Sequence, residues 1–572
     1  MNTRTGFAIA LLAVLPPAAA AGAQHSIGDI APEGSFIIVG IDNLEETINR
    51  IRAGQLGAIW NSPEVQEQFG EHIEQMNFQL TMLEEQLELE PGSLALPRGG
   101  VGMAAFTALD PEQGLDTLGI IAMVDFKESE ETVKALIDMA AQQMEASGEE
   151  FERVDIHGAS FIAVKNEPPD FEMEEMEGME GMPFGDPMAM LEPFFLGLET
   201  MYFGSHQSTL LIGTNLDVLS EAMSAIDGED VASIADRREY QDAIAQVGGG
   251  DGHAVIMLDK LSAVAAIHPM MGMAAAQMLE PLKSLGVGNI RSLSTSVDFD
   301  EAGAIAVQRS GVLVDGEKRG LLALLDHESP LAGVPGFVSA DSAGYSRFNF
   351  DFSGIMGVID EVIASVPEVG ALAQQQLAPY RPDLEELFSS LGDEIHMVDA
   401  GAVPLVAIAL TQPDQFEGVV ARWAPPAGLE PRDFVGHTIY SGDFVPVAIG
   451  IGGGHAFIGE AQAVEGALRS IGETAASGLA NDEQFRQALG AIEDGGVIGW
   501  GYSAAGSALD VLANPGVLAG AFGGGVAPPP IDPEIIEVLK EHIGPSVWQL
   551  QSTDNGFVMT SWTLEPIEVD LP

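Results

Sequence analysis

The stretch 210–226, LLIGTNLDVLSEAMSAI, is followed by 233–258, SIADRREYQDAIAQVGGGDGHAVIML, and the chain writes this pair twice. The second writing is AFIGEAQAVEGALRSI at 456–471 and GLANDEQFRQALGAIEDGGVIGWGY at 478–502. Ile234, Ala235, Tyr240, Ala243 and Ile244 stand 245 residues before Leu479, Ala480, Phe485, Ala488 and Leu489. Five apolar matches without a gap imply two copies of one module. Within each copy a short apolar run, a 3.6-periodic segment, a second such segment and a glycine-bounded apolar run predict strand, helix, helix, strand.

The doubling extends outward. GSFIIVGI (34–41) before Asp42-Asn43 matches YSRFNF (345–350) before Asp351, each predicting a strand that hands over to a helix. Asp42 and Asp351 could be paired functional carboxylates, but at a strand-to-helix junction the ordinary role is capping. Apolar spacing predicts a long amphipathic helix over 64–89, strands over 101–109 and 117–125, and a helix over 129–145. The same order returns as 395–398, 404–410 and a helix over 414–423. Phe151, Ile156 and Phe161 then match Phe434, Ile439 and Phe444 at a separation of 283, which falls to 245 by Ile234. The first copy therefore holds about 38 residues that the second lacks, in the compositionally odd segment 166–199. Strands followed by helices rather than strict alternation define an α+β class. The expected domains are a first module at 24–314 with the insert 166–199, a linker at 315–334, and a second module at 335–572. Each is read as a mainly antiparallel sheet with packed helices.

Residues 1–23 read as a signal peptide: Arg4, an apolar run from Phe7 to Leu15, and Ala21-Gly22-Ala23 as the cleavage site. That run is too short to span a bilayer, and no later stretch offers about 18 uninterrupted apolar residues. The product is expected to be exported and soluble, periplasmic or extracellular. There is no cysteine among 572 residues, which removes thiolate catalysis and thiolate metal sites. With 86 acidic against 23 basic residues the net charge is −63. Such a field repels the phosphate backbone of nucleic acid and attracts basic partners and, diffusely, divalent cations. Adaptation to a saline medium would give the same bias.

The doubled pattern, Ser62-Pro63-Glu64-Val65, the Gly-flanked strand 99–106 and the paired YFGSHQSTLLIG and VAIGIGGGHAFIG segments resemble large exported bacterial proteins grouped as domain of unknown function 3352. The resemblance covers most of the chain and implies architecture; it brings no catalytic residue, cofactor or substrate.

Motifs for chemistry are sparse. The eleven histidines form no HxxxH or HxH pair, and His157, His437, His206 and His455 fall out of step between the copies, as loop or surface residues do. Glycine runs at 248–252, 450–454 and 523–525 lack the phosphate-loop pattern, and Gly501-Tyr502-Ser503 fails the nucleophile elbow by one position. Only the insert is distinctive. Met173, Met176, Met179 and Met182 recur every third residue, interleaved with Glu174 and Glu177. Thioethers suit Cu(I) and carboxylates suit hard cations, while the same composition also suits a solvated acidic loop or an adaptable protein contact. No catalytic residue and no cofactor is assigned. The expected role is a non-catalytic exported protein that binds an unknown protein or envelope partner; the alternatives are a hydrolase whose carboxylates meet only in the fold, and metal binding through the insert.

Overall fold

The computed structural model describes residues 25–63, 97–110, 115–165, 200–258, 285–301, 304–506 and 533–567, apart from single positions and short gaps within them. The leader at 1–23, most of 64–96, the insert 166–199 and the Gly/Pro-rich 513–532 lie outside the described residues. By contact the chain divides into two compact units.

The first unit holds β1 (Ser35–Ile41), β2 (Val101–Asp110), β3 (Leu115–Asp125), β4 (Phe151–Ile156), β5 (Ala159–Lys165), β6 (Thr200–His206), β7 (Thr209–Gly213), β8 (Gly252–Met257) and most of β9 (Ile290–Glu301). They pair antiparallel throughout, in the order β9-β8-β1-β2-β3-β7-β6-β5-β4. Its helices are α1 (Ile27–Ile30), α2 (Leu44–Ala53), α3 (Gln55–Trp60), α4 (Glu130–Ser147), α5 (Leu216–Ile226) and α6 (Arg238–Val247). Successive strand residues point to opposite faces, so runs such as Leu210-Leu211 and Phe161-Ile162 serve two cores. Leu211 and Phe161 pack with Leu219 and Met223 of α5 and Tyr240 of α6. Leu210 and Ile162 pack with Val133 and Leu136 of α4 on the other side. Burial on both faces is why these strands read as continuous apolar runs instead of alternating ones.

The second unit begins its described strands with β10 (Ala304–Val314), followed by β11 (Ser329–Pro330), β12 (Gly344–Asn349), β13 (Leu391–Asp399) and β14 (Leu405–Leu410). Then come β15 (Glu430–Phe434), β16 (His437–Gly442), β17 (Val445–Gly452), β18 (His455–Gly459), β19 (Gly496–Val497), β20 (Gly499–Ser503), β21 (Ser546–Thr553) and β22 (Gly556–Leu564). Its antiparallel order is β10-β22-β21-β20-β12-β13-β14-β18-β17-β16-β15, with β11 and β19 as a separate two-strand ladder. Helices are α7 (Leu321–Leu325), α8 (Ile355–Ser365), α9 (Pro367–Leu377), α10 (Arg381–Ser390), α11 (Pro413–Trp423), α12 (Ala461–Ser470) and α13 (Glu483–Leu489). Phe457 and Ile439 meet Val464 and Leu468 of α12, while Ala456 and Tyr440 meet Phe416 and Val420 of α11.

Three sequence expectations shift. The contact division groups β10 with the second unit, where Val307 stands opposite Trp562 on β22, although the sequence boundary was drawn at 314. The segment 315–334 is not a bare linker: Leu322 and Leu324 of α7 are buried, and Leu322 packs with Ile498 and Phe557. Five apolar residues of six-residue spacing or less bury themselves where a core face is at hand. The hairpin match was also slid by one spacing. The turns are His157-Gly158 and Val435-Gly436, all four residues with positive φ, so Phe151 opens β4 whereas Phe434 closes β15. Phe/Ile at five-residue intervals occurs in both hairpins, and only the turn sets the register. Between β5 and β6 lie residues 166–199, and between β16 and β17 only 443–444.

Candidate functional site

A cleft of about 310 Å³ opens in the first unit where β1 gives way to α2. Asp42, Asn43, Glu46, Thr47 and Arg50 line one side; Gly250, Asp251 and Asp298 line the other. Four carboxylates thus face one guanidinium. The helix starts here because Asn43 caps it: its side chain accepts from the Glu46 N–H at 3.2 Å and donates to Glu46 Oε2 at 3.0 Å. The cap is Asn43, not Asp42, while Asp351 does cap its helical turn, accepting from the Ser353 N–H. Asp42 is thereby released for another use.

Asp251 is the anchor of the far wall. Its side chain is 5% exposed and accepts from Thr47 Oγ1 at 3.4 Å, Arg50 Nη1 at 3.2 Å and the Phe299 N–H at 3.0 Å. Arg50 also reaches Glu46 at 3.0 Å. The run Gly248-Gly249-Gly250 has positive φ throughout, and a Cβ on Gly250 would stand 2.8 Å from the Val297 carbonyl oxygen. Only glycine lets the chain turn there against β9.

Beneath Asp42 lies His253, buried on β8, its Nε2 3.2 Å from the Tyr240 hydroxyl and its Nδ1 4.0 Å from Asp42 Oδ2. Burial pushes the imidazole down, against the pull of Asp42. Burial likewise pushes the half-exposed Asp42 carboxyl up, and His253 partly offsets this. The Tyr240 phenol is pushed up by burial and by the negative charge of Asp42 and Asp29. The result is a neutral imidazole and phenol under an acidic rim.

The second unit repeats the chemistry in another place. Tyr345 OH lies 2.9 Å from Nδ1 of His396, which is 1% exposed. Burial, then the positive neighbours His455 and Arg347, push His396 down to about 3. Its Nε2 is 3.6 Å from Glu394 Oε2, and Glu394 Oε1 receives Arg347 Nη2 at 2.7 Å. Arg347 also donates to Ser329 Oγ and the Pro330 carbonyl, and Asn349 Nδ2 donates to Ser329 Oγ and the Val497 carbonyl.

Met173, Met176, Met179, Met182, Glu174 and Glu177 lie outside the described residues. Among the described residues no three His, Asp or Glu side chains stand where they could hold a metal ion. His157 sits in its turn, bonded to Ser220 Oγ at 2.9 Å, and His206 meets Asp227 at 2.8 Å. The sequence passed over His253 and His396 because their Tyr and carboxylate partners come from separate elements. The signal available was weak: a histidine inside an otherwise apolar strand.

Fold and site together define an α+β protein of extended antiparallel sheets with an acidic cleft. No helix among the described residues is long and apolar enough to cross a membrane. No family model and no curated protein matches the chain. Among solved structures it is similar to crystal form I of TP0453, at 11% identity and a TM-score of 0.23, covering 42% of this chain and 82% of that one. Crystal form IV of the same protein aligns at 12% identity and a TM-score of 0.22, covering 41% and 80%.

Proposed function

We propose that the chain is an exported, strongly acidic, non-catalytic binding protein that captures a cationic group of an envelope or matrix partner in the Asp42–Asp251 cleft. The observation that carries this reading is the commitment of the cleft's groups: Asp251 is held by three donors, and His253 is neutral and tied to Tyr240. Asp42, Glu46 and Asp298 remain to set the field toward solvent, in a chain whose net charge of −63 draws basic partners from a distance. The two units are read as copies of one tandem module. Supporting this, Ile212-Gly213 close β7 as Ile458-Gly459 close β18, and Tyr240 and Phe485 are each the third residue of their helix. The resemblance to the exported family of unknown function agrees with that architecture and names no activity.

The test is a pull-down from the native envelope fraction with wild type and the triple variant Asp42→Asn, Glu46→Gln, Asp298→Asn. A basic partner retained by wild type, released by salt and lost in the variant is the expected result. Equal capture by both proteins refutes the cleft. A second reading, a hydrolase, is favoured by the raised carboxyl of Asp42 beside other acids in one cleft. Hydrolysis of a substrate panel that Asp42→Asn abolishes would replace the binding reading. Metal binding through Met173, Met176, Met179, Met182, Glu174 and Glu177 stays a separate proposal, met by a Cu(I) or Ca²⁺ rise in melting temperature that deletion of 168–187 removes.

A further inference from the structure

Three nitrogen donors stand abreast in the core of the second unit. Arg347 on β12 is directly opposite His396 on β13 and directly opposite Trp500 on β20. Directly opposed residues of antiparallel strands put their side chains on one face, about 5 Å apart. The three are 2%, 1% and 0% exposed. Arg347 Nε, His396 Nε2 and Trp500 Nε1 are each buried without a hydrogen-bond partner in the protein. The contact from His396 Nε2 to Glu394, at 3.6 Å, is beyond hydrogen-bond reach.

The chemistry of these atoms narrows what can meet them. A guanidinium Nε–H and an indole N–H can only donate. Tyr345 satisfies its buried hydroxyl proton by donating to His396 Nδ1, which leaves the neutral imidazole with its proton on Nε2. All three atoms are then donors, so a cation is excluded. A water accepts two hydrogen bonds and must dispose of two protons of its own, which suits three donors poorly. Nor is the polar row a demand of the sheet. In the first unit the residues across β2, β1 and β8 are Ala104, Ile38 and Val255, all apolar and buried. A buried donor left without an acceptor is costly, and three side by side call for one shared acceptor.

We propose that the second unit binds one small inorganic anion of halide size between Arg347 Nε, Trp500 Nε1 and His396 Nε2. The full burial of all three side chains admits a monatomic ion and disfavours a phosphate or an organic acid. The guanidinium supplies the charge, and the indole and imidazole N–H groups complete a dry shell.

The test uses the full chain labelled with fluorotryptophan, titrated with sodium bromide against sodium gluconate at constant ionic strength. A Trp500→Phe variant assigns the resonance. The expected result is a saturable bromide shift of the Trp500 signal alone, lost in Arg347→Met. No shift, as a fixed water would give, overturns the proposal; so does a shift that is linear and shared by the other tryptophans. If Arg347→Met does not fold, an anomalous bromide peak between the three nitrogens in crystals of the wild-type chain decides in its place, and no peak there overturns the site.

Discussion

Lowering the pH from 6.5 loads a proton onto His396 of the unfolded chain but not onto His396 of the folded one. The ordinary imidazole value is 6.5, and burial with the positive neighbours His455 and Arg347 depresses the folded value to about 3. The facing groups are Arg347, His455, Tyr345 and the half-exposed Glu394. A depressed histidine leaves stability untouched above 6.5, where both states are neutral. Stability is then lost as pH falls from 6.5 toward 3, at about 1.4 kcal/mol per unit. Between pH 6.5 and 5 the loss from this one group is about 2 kcal/mol. At 1% exposure the side chain has little solvent to relieve it. The comparison protein is His396→Gln, whose amide keeps an acceptor for Tyr345 and does not titrate. The assay is urea unfolding followed by tryptophan fluorescence, which reports the second unit because Trp423, Trp500, Trp548 and Trp562 all lie in it. Carboxylates titrate alike in both proteins, so the difference between the two pH profiles isolates His396. Wild type should lose about 2 kcal/mol more than the variant over that interval. Parallel profiles from pH 6.5 to 5 would show that His396 protonates freely in the folded chain, and the burial argument would fail.

Val435 holds φ +56 at 67% exposure in a two-residue turn, a conformation β-branched residues resist, so Val435→Asn should raise stability by about 1 kcal/mol, read as a higher melting temperature. Lys127 and Glu45 form a pair at 3.2 Å with side chains 7% and 8% exposed; Lys127→Met should cost about 3 kcal/mol in chemical denaturation, and the double variant with Glu45→Leu should regain much of it. A single variant as stable as wild type would show the pair contributes nothing. Deleting 168–187 should leave the melting temperature within about 1 °C, because the equivalent hairpin closes with 443–444 alone; loss of the first unit's transition would contradict this.

Periodicity and turn chemistry are local, and what they govern was legible along the chain. The doubled stretch predicts strand, helix, helix and strand, and β7, α5, α6 and β8 follow in that order. The helix 414–423 appears as α11, and the class, α+β with antiparallel sheets, follows from the order of runs. Where two positions compete for one local role the outcome is tertiary: Asn43 and Asp42 are both good caps, and Asn43 takes the helix because Asp42 is drawn to the side of His253. The hairpin register was misread by five residues because Phe and Ile repeat at that interval, and only the positive-φ pair places the turn. The cleft joins residues about 200 positions apart, such as Thr47 and Asp251, and the polar row joins β13, β12 and β20. Strand pairing brings such residues together through backbone hydrogen bonds that carry no side-chain signature. A carboxylate, histidine or arginine written into one strand therefore discloses its chemistry only when the neighbouring strand is known.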